Sequence, residues 1–115
     1  MMHADGRELF EDLRVNQVYL SGRVEEIGRT GWDPDEGMLF AFEMSFKQPR
    51  NWQERCRATV VLTGKAAEAA QGHARVGSLV LVEGELLTDF DEDGRTVLRI
   101  LSYKTQVLTF PGRKA

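Results

Sequence analysis

Three runs of this chain alternate apolar with polar or small residues at a period of two, and that alternation limits the fold more than any other feature. Val18, Leu20, Gly22 and Val24 alternate with Tyr19, Ser21 and Arg23. Phe40, Phe42, Met44 and Phe46 alternate with Leu39, Ala41, Glu43 and Ser45, and Ala58, Val60 and Leu62 with Arg57, Thr59, Val61 and Thr63. Side chains on a strand point to opposite faces in turn, so each run predicts a half-buried strand with its aromatic or aliphatic side inward. Between them, residues 28–37 carry Gly31, Pro34 and three acids and read as a loop or long hairpin connection, and residues 47–53 carry Pro49 and read as another loop. Lys65–Gln71 holds four alanines and no β-branched residue, which predicts one short helix closed by Gly72.

Two more β-rich runs follow. Ser78–Thr88 contains Leu79, Val80, Leu81 and Val82, and Asp93-Gly94 is a tight-turn pair leading into a fifth strand from Arg95 to about Leu108. Alternation in that last strand is untidy, which predicts a bulge or a change of face. Three strands, a helix and two strands make an all-β chain, a five-stranded OB-fold Greek-key barrel with one short helix between strands three and four. Such barrels bind oligonucleotides on the strand 2–3 face and the neighbouring loops. The expected division is an N-terminal extension over 1–14, the barrel over 15–110 and a short basic end over 111–115. Within the extension, Arg7–Arg14 would form one or two helical turns setting Leu9, Phe10 and Leu13 against the body.

At 115 residues there is room for one domain. No apolar run reaches the roughly 18 residues of a membrane span, and the first residues lack the basic and apolar regions of a secretory signal. A cytoplasmic, nucleoid-associated protein is the expectation. The lone Cys56 has no disulfide partner and reads as a small buried hydrophobe. The net charge of −3 would argue against a polyanion partner, but its distribution does not. Lys47, Arg50, Arg55, Arg57 and Lys65 face one acid, Glu54, over residues 47–65, a local balance of +4. The acids gather at the N-terminus, at Asp33, Asp35 and Glu36, and at Asp89 to Asp93. A local field of this kind concentrates a polyanion whatever the total charge.

Three blocks resemble one family. Val15-Asn16-Gln17-Val18-Tyr19-Leu20-Ser21-Gly22-Arg23-Val24 is similar to the opening strand of bacterial single-stranded-DNA-binding proteins. Val60-Val61-Leu62-Thr63-Gly64-Lys65-Ala66-Ala67-Glu68 resembles their strand three and helix start, and Val76 to Leu86, with its Gly77-Ser78 lead and Glu83-Gly84 pair, their strand four. Primosomal replication protein N (PriB) is similar over the same blocks. The resemblance implies an OB-fold homodimer or homotetramer that wraps single strands without a cofactor. Two departures stand out. Family members end in an acidic, phenylalanine-terminated tail, whereas this chain ends Phe110-Pro111-Gly112-Arg113-Lys114-Ala115, and the stacking aromatics of strand three are replaced by Arg57 and Thr63.

Binding single strands without sequence preference needs cations along the phosphates and flat side chains against the bases. Trp32, Trp52 and Phe90 fall one in each of three predicted loops, with Trp52 following Arg50 in the most basic segment and the other two beside acids. Tyr19 and Arg23 share the outward face of strand one, where Tyr19 could stack on a base or sit in a subunit interface. Arg55 and Arg57 alternate with core positions and should point outward to phosphates. The expected nucleic-acid-binding set is therefore Tyr19, Arg23, Trp32, Lys47, Arg50, Trp52, Arg55, Arg57, Lys65 and Phe90.

Other apparent motifs fail on spacing. Thr63-Gly64-Lys65 is followed by Ala66 and lacks the first glycine of a phosphate loop. Asp89-x-Asp91-x-Asp93-Gly94 opens like a calcium loop, but Ile100 stands where the bidentate Glu is needed. His3 and His73 are isolated, so no metal, no cofactor and no catalytic constellation is expected. The reading is sequence-independent single-stranded DNA binding in replication, recombination or repair by a homo-oligomer dimerised through strand one. Replication or repair proteins would be further partners. Two rivals stand beside it: a PriB-like adaptor of the replication-restart machinery with weak nucleic-acid binding, and an RNA-binding cold-shock-like module, which would need an aromatic cluster the chain lacks.

Overall fold

The computed structural model describes residues 15–48 and 50–109, with backbone only for 51–54. The proposed helical turns over 7–14, the 111–115 end and the Trp52 side chain lie outside the described residues. Five strands, β1 (Val18–Asp33), β2 (Gly37–Gln48), β3 (Asn51–Thr63), β4 (Leu79–Phe90) and β5 (Thr96–Thr109), surround one helix, α1 (Gly64–Gln71), between β3 and β4. They close into a barrel in the order β1-β2-β3-β5-β4. Every neighbouring pair is antiparallel except β3 and β5, whose parallel ladder runs from Thr59–Arg99 to Leu62–Ser102. Closure leaves the central part of the sheet without an edge.

The alternating runs do what their period requires. Val24, Phe42, Met44, Val60, Leu62, Val80 and Val82 are wholly buried and form the core. Helix α1 has eight residues, too few to be stable alone. It is held because Ala67 and Ala70, with Ala74 just beyond it, sit in the same core cluster and plug one end of the barrel. At Gly94 the positive φ of 79° makes the β4–β5 turn, where the Asp91 carboxylate also accepts from the Asp93 and Arg95 amides.

Several expectations need correction. Of the two readings of residues 28–37, the long hairpin holds and the loop does not: β1 continues to Asp33, paired with Gly37, and only residues 34–36 turn. Ile27 to Trp32 are all exposed, so this half of β1 overhangs the barrel with solvent on both faces, and no alternation marks it. Two register shifts, Val24/Glu26 and Ile27/Thr30, curl it further. Lys47 and Gln48 likewise extend β2, and residues 51–53 extend β3, with Gln48 facing Asn51. Trp32, Trp52 and Phe90 therefore sit on strands at hairpin ends, not in loops. Phe46 is half-buried at the rim instead of inside. Cys56 is also half-buried, its sulfur 3.0 Å from the Gln48 amide. The untidiness of β5 resolves as expected into two register shifts against β4, at Leu79/Val80 and Glu83/Gly84.

Candidate nucleic-acid interface

Arg23 is the residue at which β1 changes partners. It pairs with Leu79 of β4 as the last rung of one ladder and with Ser45 of β2 as the first rung of the next. The crossing is tight because Gly22 has no side chain: a Cβ there would fall on the Ser45 carbonyl oxygen and the Met44 methyl. Beside it opens a groove of about 430 Å³, whose lining includes Arg23, Lys47 and Arg55 together with Phe46, Leu79 and Leu108. Three cations over a partly apolar floor suit a nucleotide, with phosphate on the rim and base within.

From the groove a polar face continues over the outside of β2 and β3. Cross-strand pairs Lys47–Arg55, Ser45–Arg57 and Glu43–Thr59 lie along it. Two carboxylates occupy its arginines: Arg55 Nη1 is 3.6 Å from Glu25 Oε1, and Arg57 Nη1 is 3.5 Å from Glu43 Oε2. The buried Ser45 hydroxyl donates to Glu25 at 2.5 Å and stands 3.4 Å from Arg55, which joins the first pair to the sheet. Both arginines are about half exposed, with side-chain exposures of 51% and 54%. Exposed pairs of this type contribute about 0–1 kcal/mol, so exchanging a carboxylate for a phosphate costs little.

The ten expected residues are thus divided by the fold. Arg23, Lys47, Arg55 and Arg57 come together, with exposed Arg50 in the adjoining β2–β3 turn and Trp52 at the start of β3. Tyr19 is exposed on the same outward phase of β1, four residues from Arg23, and its hydroxyl accepts from the Gln17 amide at 2.6 Å. Trp32 and Lys65 are at the other end of the barrel. Trp32 is 71% exposed and pairs with Met38, its ring edge lying over Gly37, while Lys65 opens α1. At about 3.3 Å per residue, the eight residues from Arg55 to Thr63 separate the two ends by roughly 26 Å. Phe90, 70% exposed, faces Thr96 at the tip of the β4–β5 hairpin, before β5 meets β3.

Sequence reasoning missed Glu25 and Glu43, because cross-strand partners become visible only once the register is known. It also missed Tyr103. The register shift that lets Gly84 face Ser102 and Glu83 face Lys104 leaves Tyr103 as the extra residue, 55% exposed. The irregular alternation of β5 was the available signal. Among the described residues no group of three or more His, Cys, Asp or Glu could hold a metal ion, and no helix is long and apolar enough to cross a membrane.

Comparison with known proteins places this geometry. No protein-family model matches the chain. It is similar to solved structures of the dimeric N-terminal domain of PriB from Thermoanaerobacter tencongensis (TM-score 0.64, 17% identity, 83% of this chain and 98% of that one) and of a small single-stranded DNA-binding protein from Streptomyces coelicolor (TM-score 0.66, 19% identity, 79% and 90%). These agree on the OB-fold. In sequence it is 32% identical over 107 residues to single-stranded DNA-binding protein 1 of Streptococcus pyogenes serotype M6, spanning 87% of this chain and 82% of the relative. With that identity over nearly the full length of both, the chain belongs to the single-stranded DNA-binding protein family.

Proposed function

We propose that this protein binds single-stranded DNA without sequence preference, using the groove at the β1 crossing and the outer face of β2 and β3. The observation that carries the reading is the convergence of Arg23, Lys47 and Arg55 on one partly apolar groove. Cations there meet the phosphates while Phe46 and the neighbouring aliphatic residues receive a base, and Arg50 and Trp52 extend the site along the β2–β3 hairpin. Affinity comes from stacking and counterion release, so it falls steeply with salt. A protein acting this way is a binding module in DNA replication, recombination or repair.

The working unit is a homodimer joined at β1. Val18 to Gly22 pair with β4 along one edge, and the ladder to β2 begins only at Arg23, so no described strand covers the other edge of these residues. An uncovered edge is a template for a second copy. Sizing in solution tests this part, and a monomer at high concentration would overturn it.

Titration of tryptophan fluorescence with poly-dT at low and moderate salt, repeated with Lys47→Ala and Trp52→Ala, tests the main reading. Saturable quenching that weakens with salt and with Lys47→Ala supports it. Absence of any response at low salt, matched by an unshifted oligonucleotide in a gel, would overturn it and favour the adaptor role.

A further inference from the structure

The outer face of β3 offers Arg57, Thr59, Val61 and Thr63, which can meet phosphates and methyl groups but give a base no aromatic ring to stack on. The barrel supplies the missing aromatic from the next strand. Because β5 runs parallel to β3 with Val60 opposite Ile100 and Leu62 opposite Ser102, all four facing the interior, the residues between them share the outside. Arg99 lies beside Thr59 and Leu101 beside Val61. One step beyond the last rung, next to the position of Thr63, comes Tyr103.

Tyr103 faces outward with its successor, which a regular strand forbids. Consecutive residues normally point to opposite sides, yet Tyr103 and Lys104 are both exposed between buried Ser102 and half-buried Thr105. The bulge does this: Lys104 still faces Glu83, Ser102 faces Gly84, and Tyr103 is inserted between. It is locked by the Ser102 hydroxyl, which donates to a backbone carbonyl of Glu83 or Lys104, at 3.1 and 2.9 Å, and lies 3.0 Å from the Thr105 hydroxyl. Its neighbour Gly84 admits the strand because a Cβ there would collide with the Leu101 carbonyl. The result is an aromatic ring and an ammonium side by side on a fixed backbone.

We infer that Tyr103, on the outward phase of β5 with Lys104 turned out beside it by this bulge, is a base-stacking platform that carries single-stranded DNA across the outer β3–β5 face, beyond the groove at the β1 crossing. The inference rests on the single-strand-binding reading above and extends its site toward the helix end of the barrel, where Lys65 opens α1. Glu83 and Glu85 on β4 border the platform on its far side and repel phosphates, which keeps the strand on the β3 side. A stacked base places its sugar-phosphate within reach of Lys104, the aromatic-plus-cation pairing that tolerates any sequence.

The test is the affinity of Tyr103→Ala, Tyr103→Phe and the unaltered protein for oligo-dT, with folding checked by thermal melting and size by gel filtration. Alanine is expected to weaken binding by roughly 5- to 150-fold, the span of one stacked base, and phenylalanine to keep most of the affinity. If Tyr103→Ala melts early, Tyr103→Leu, which keeps the bulk without the ring, replaces it and is expected to weaken binding likewise. Unchanged affinity in the alanine or leucine protein would overturn the inference, as would a phenylalanine protein as weak as alanine, since that would make the hydroxyl the contact. Failure of the unaltered protein to bind oligo-dT would instead overturn the reading beneath it.

Discussion

The Glu43 carboxylate reaches the Arg57 guanidinium across the β2–β3 ladder at 3.5 Å, while its other oxygen stands 3.5 Å from the Thr59 hydroxyl. A carboxylate in that position presents to Arg57 what a phosphate would present. Under the proposed function it is an internal competitor, and DNA must displace it. Glu43→Gln should therefore tighten oligo-dT binding by about 2- to 5-fold at low salt, the worth of freeing one exposed ion pair. Its melting temperature should barely move, because such a pair contributes about 0–1 kcal/mol to folding. Fluorescence titration reads the first quantity and a thermal scan the second. Weaker binding by Glu43→Gln would mean that the carboxylate orients Arg57 for DNA instead of competing for it.

Lys47 and Arg55 face each other on adjacent strands at the groove, with no ladder shift between them and Arg57. If each neutralises one phosphate, the slope of log affinity against log salt becomes shallower by about 0.7 for each cation removed. Lys47→Ala and Arg55→Ala should show that change, and their double substitution about twice it. Titrations at four or five salt concentrations measure it. An unchanged slope with lowered affinity would show that these side chains shape the groove without touching phosphate.

What could be read in advance follows from where period-two patterning is enforced. Phe40, Phe42, Met44, Val60 and Leu62 face a closed barrel, so burial imposed the alternation that made β2 and β3 legible, and four small residues marked α1 as the plug. Alternation disappears where a strand leaves the barrel. Ile27 to Trp32 are wet on both faces, and nothing selects the pattern of a strand there, which is why residues 28–37 read equally as a loop or a long hairpin connection. The site was legible as a set of cations on residues 47–57, since those positions are close in sequence. Arg23 was named from its outward phase on strand one, but its place beside them comes from strand pairing, and Glu25 and Glu43, which register brings in, were not legible. Tyr103 continues the outward phase of Arg99 and Leu101, and the backbone insertion that turns Lys104 out beside it was seen beforehand as no more than irregularity in β5.

Gly22 and Gly31 lie on the same strand and should respond oppositely to alanine. At Gly22 a Cβ would strike the Ser45 carbonyl and the Met44 methyl, whereas at Gly31 it would meet nothing within 4 Å. Neither has a positive φ, so space alone separates them. Gly22→Ala should cost about 1–3 kcal/mol, since the backbone of β2 must move aside. Gly31→Ala should be neutral or stabilise by roughly 0.4–1 kcal/mol through loss of unfolded-state entropy. Urea denaturation checks both, with a shifted midpoint and an unchanged slope marking a true stability change. Because Gly22 also lines the groove, its alanine variant should bind oligo-dT more weakly even where it is fully folded.

Asn16 closes the barrel at the point where the chain enters β1. Its side-chain amide donates to the Leu86 carbonyl at 2.7 Å and its carbonyl oxygen accepts from the Leu86 amide at 2.8 Å, so one side chain supplies both bonds of a missing ladder rung on β4. The pair is exposed, and its net worth is about 1 kcal/mol. Global stability is therefore a poor readout, but local opening is a sharp one. In Asn16→Ala the Leu86 amide should exchange with solvent several-fold to tenfold faster, while the Val82 amide, deep in the β1–β4 ladder, keeps its protection. Asn16→Asp should accelerate the Leu86 amide less than alanine does, because a carboxylate still accepts from that amide while it repels the Leu86 carbonyl. Equal acceleration at Leu86 and Val82 would show instead that Asn16 supports the whole barrel and not only its end.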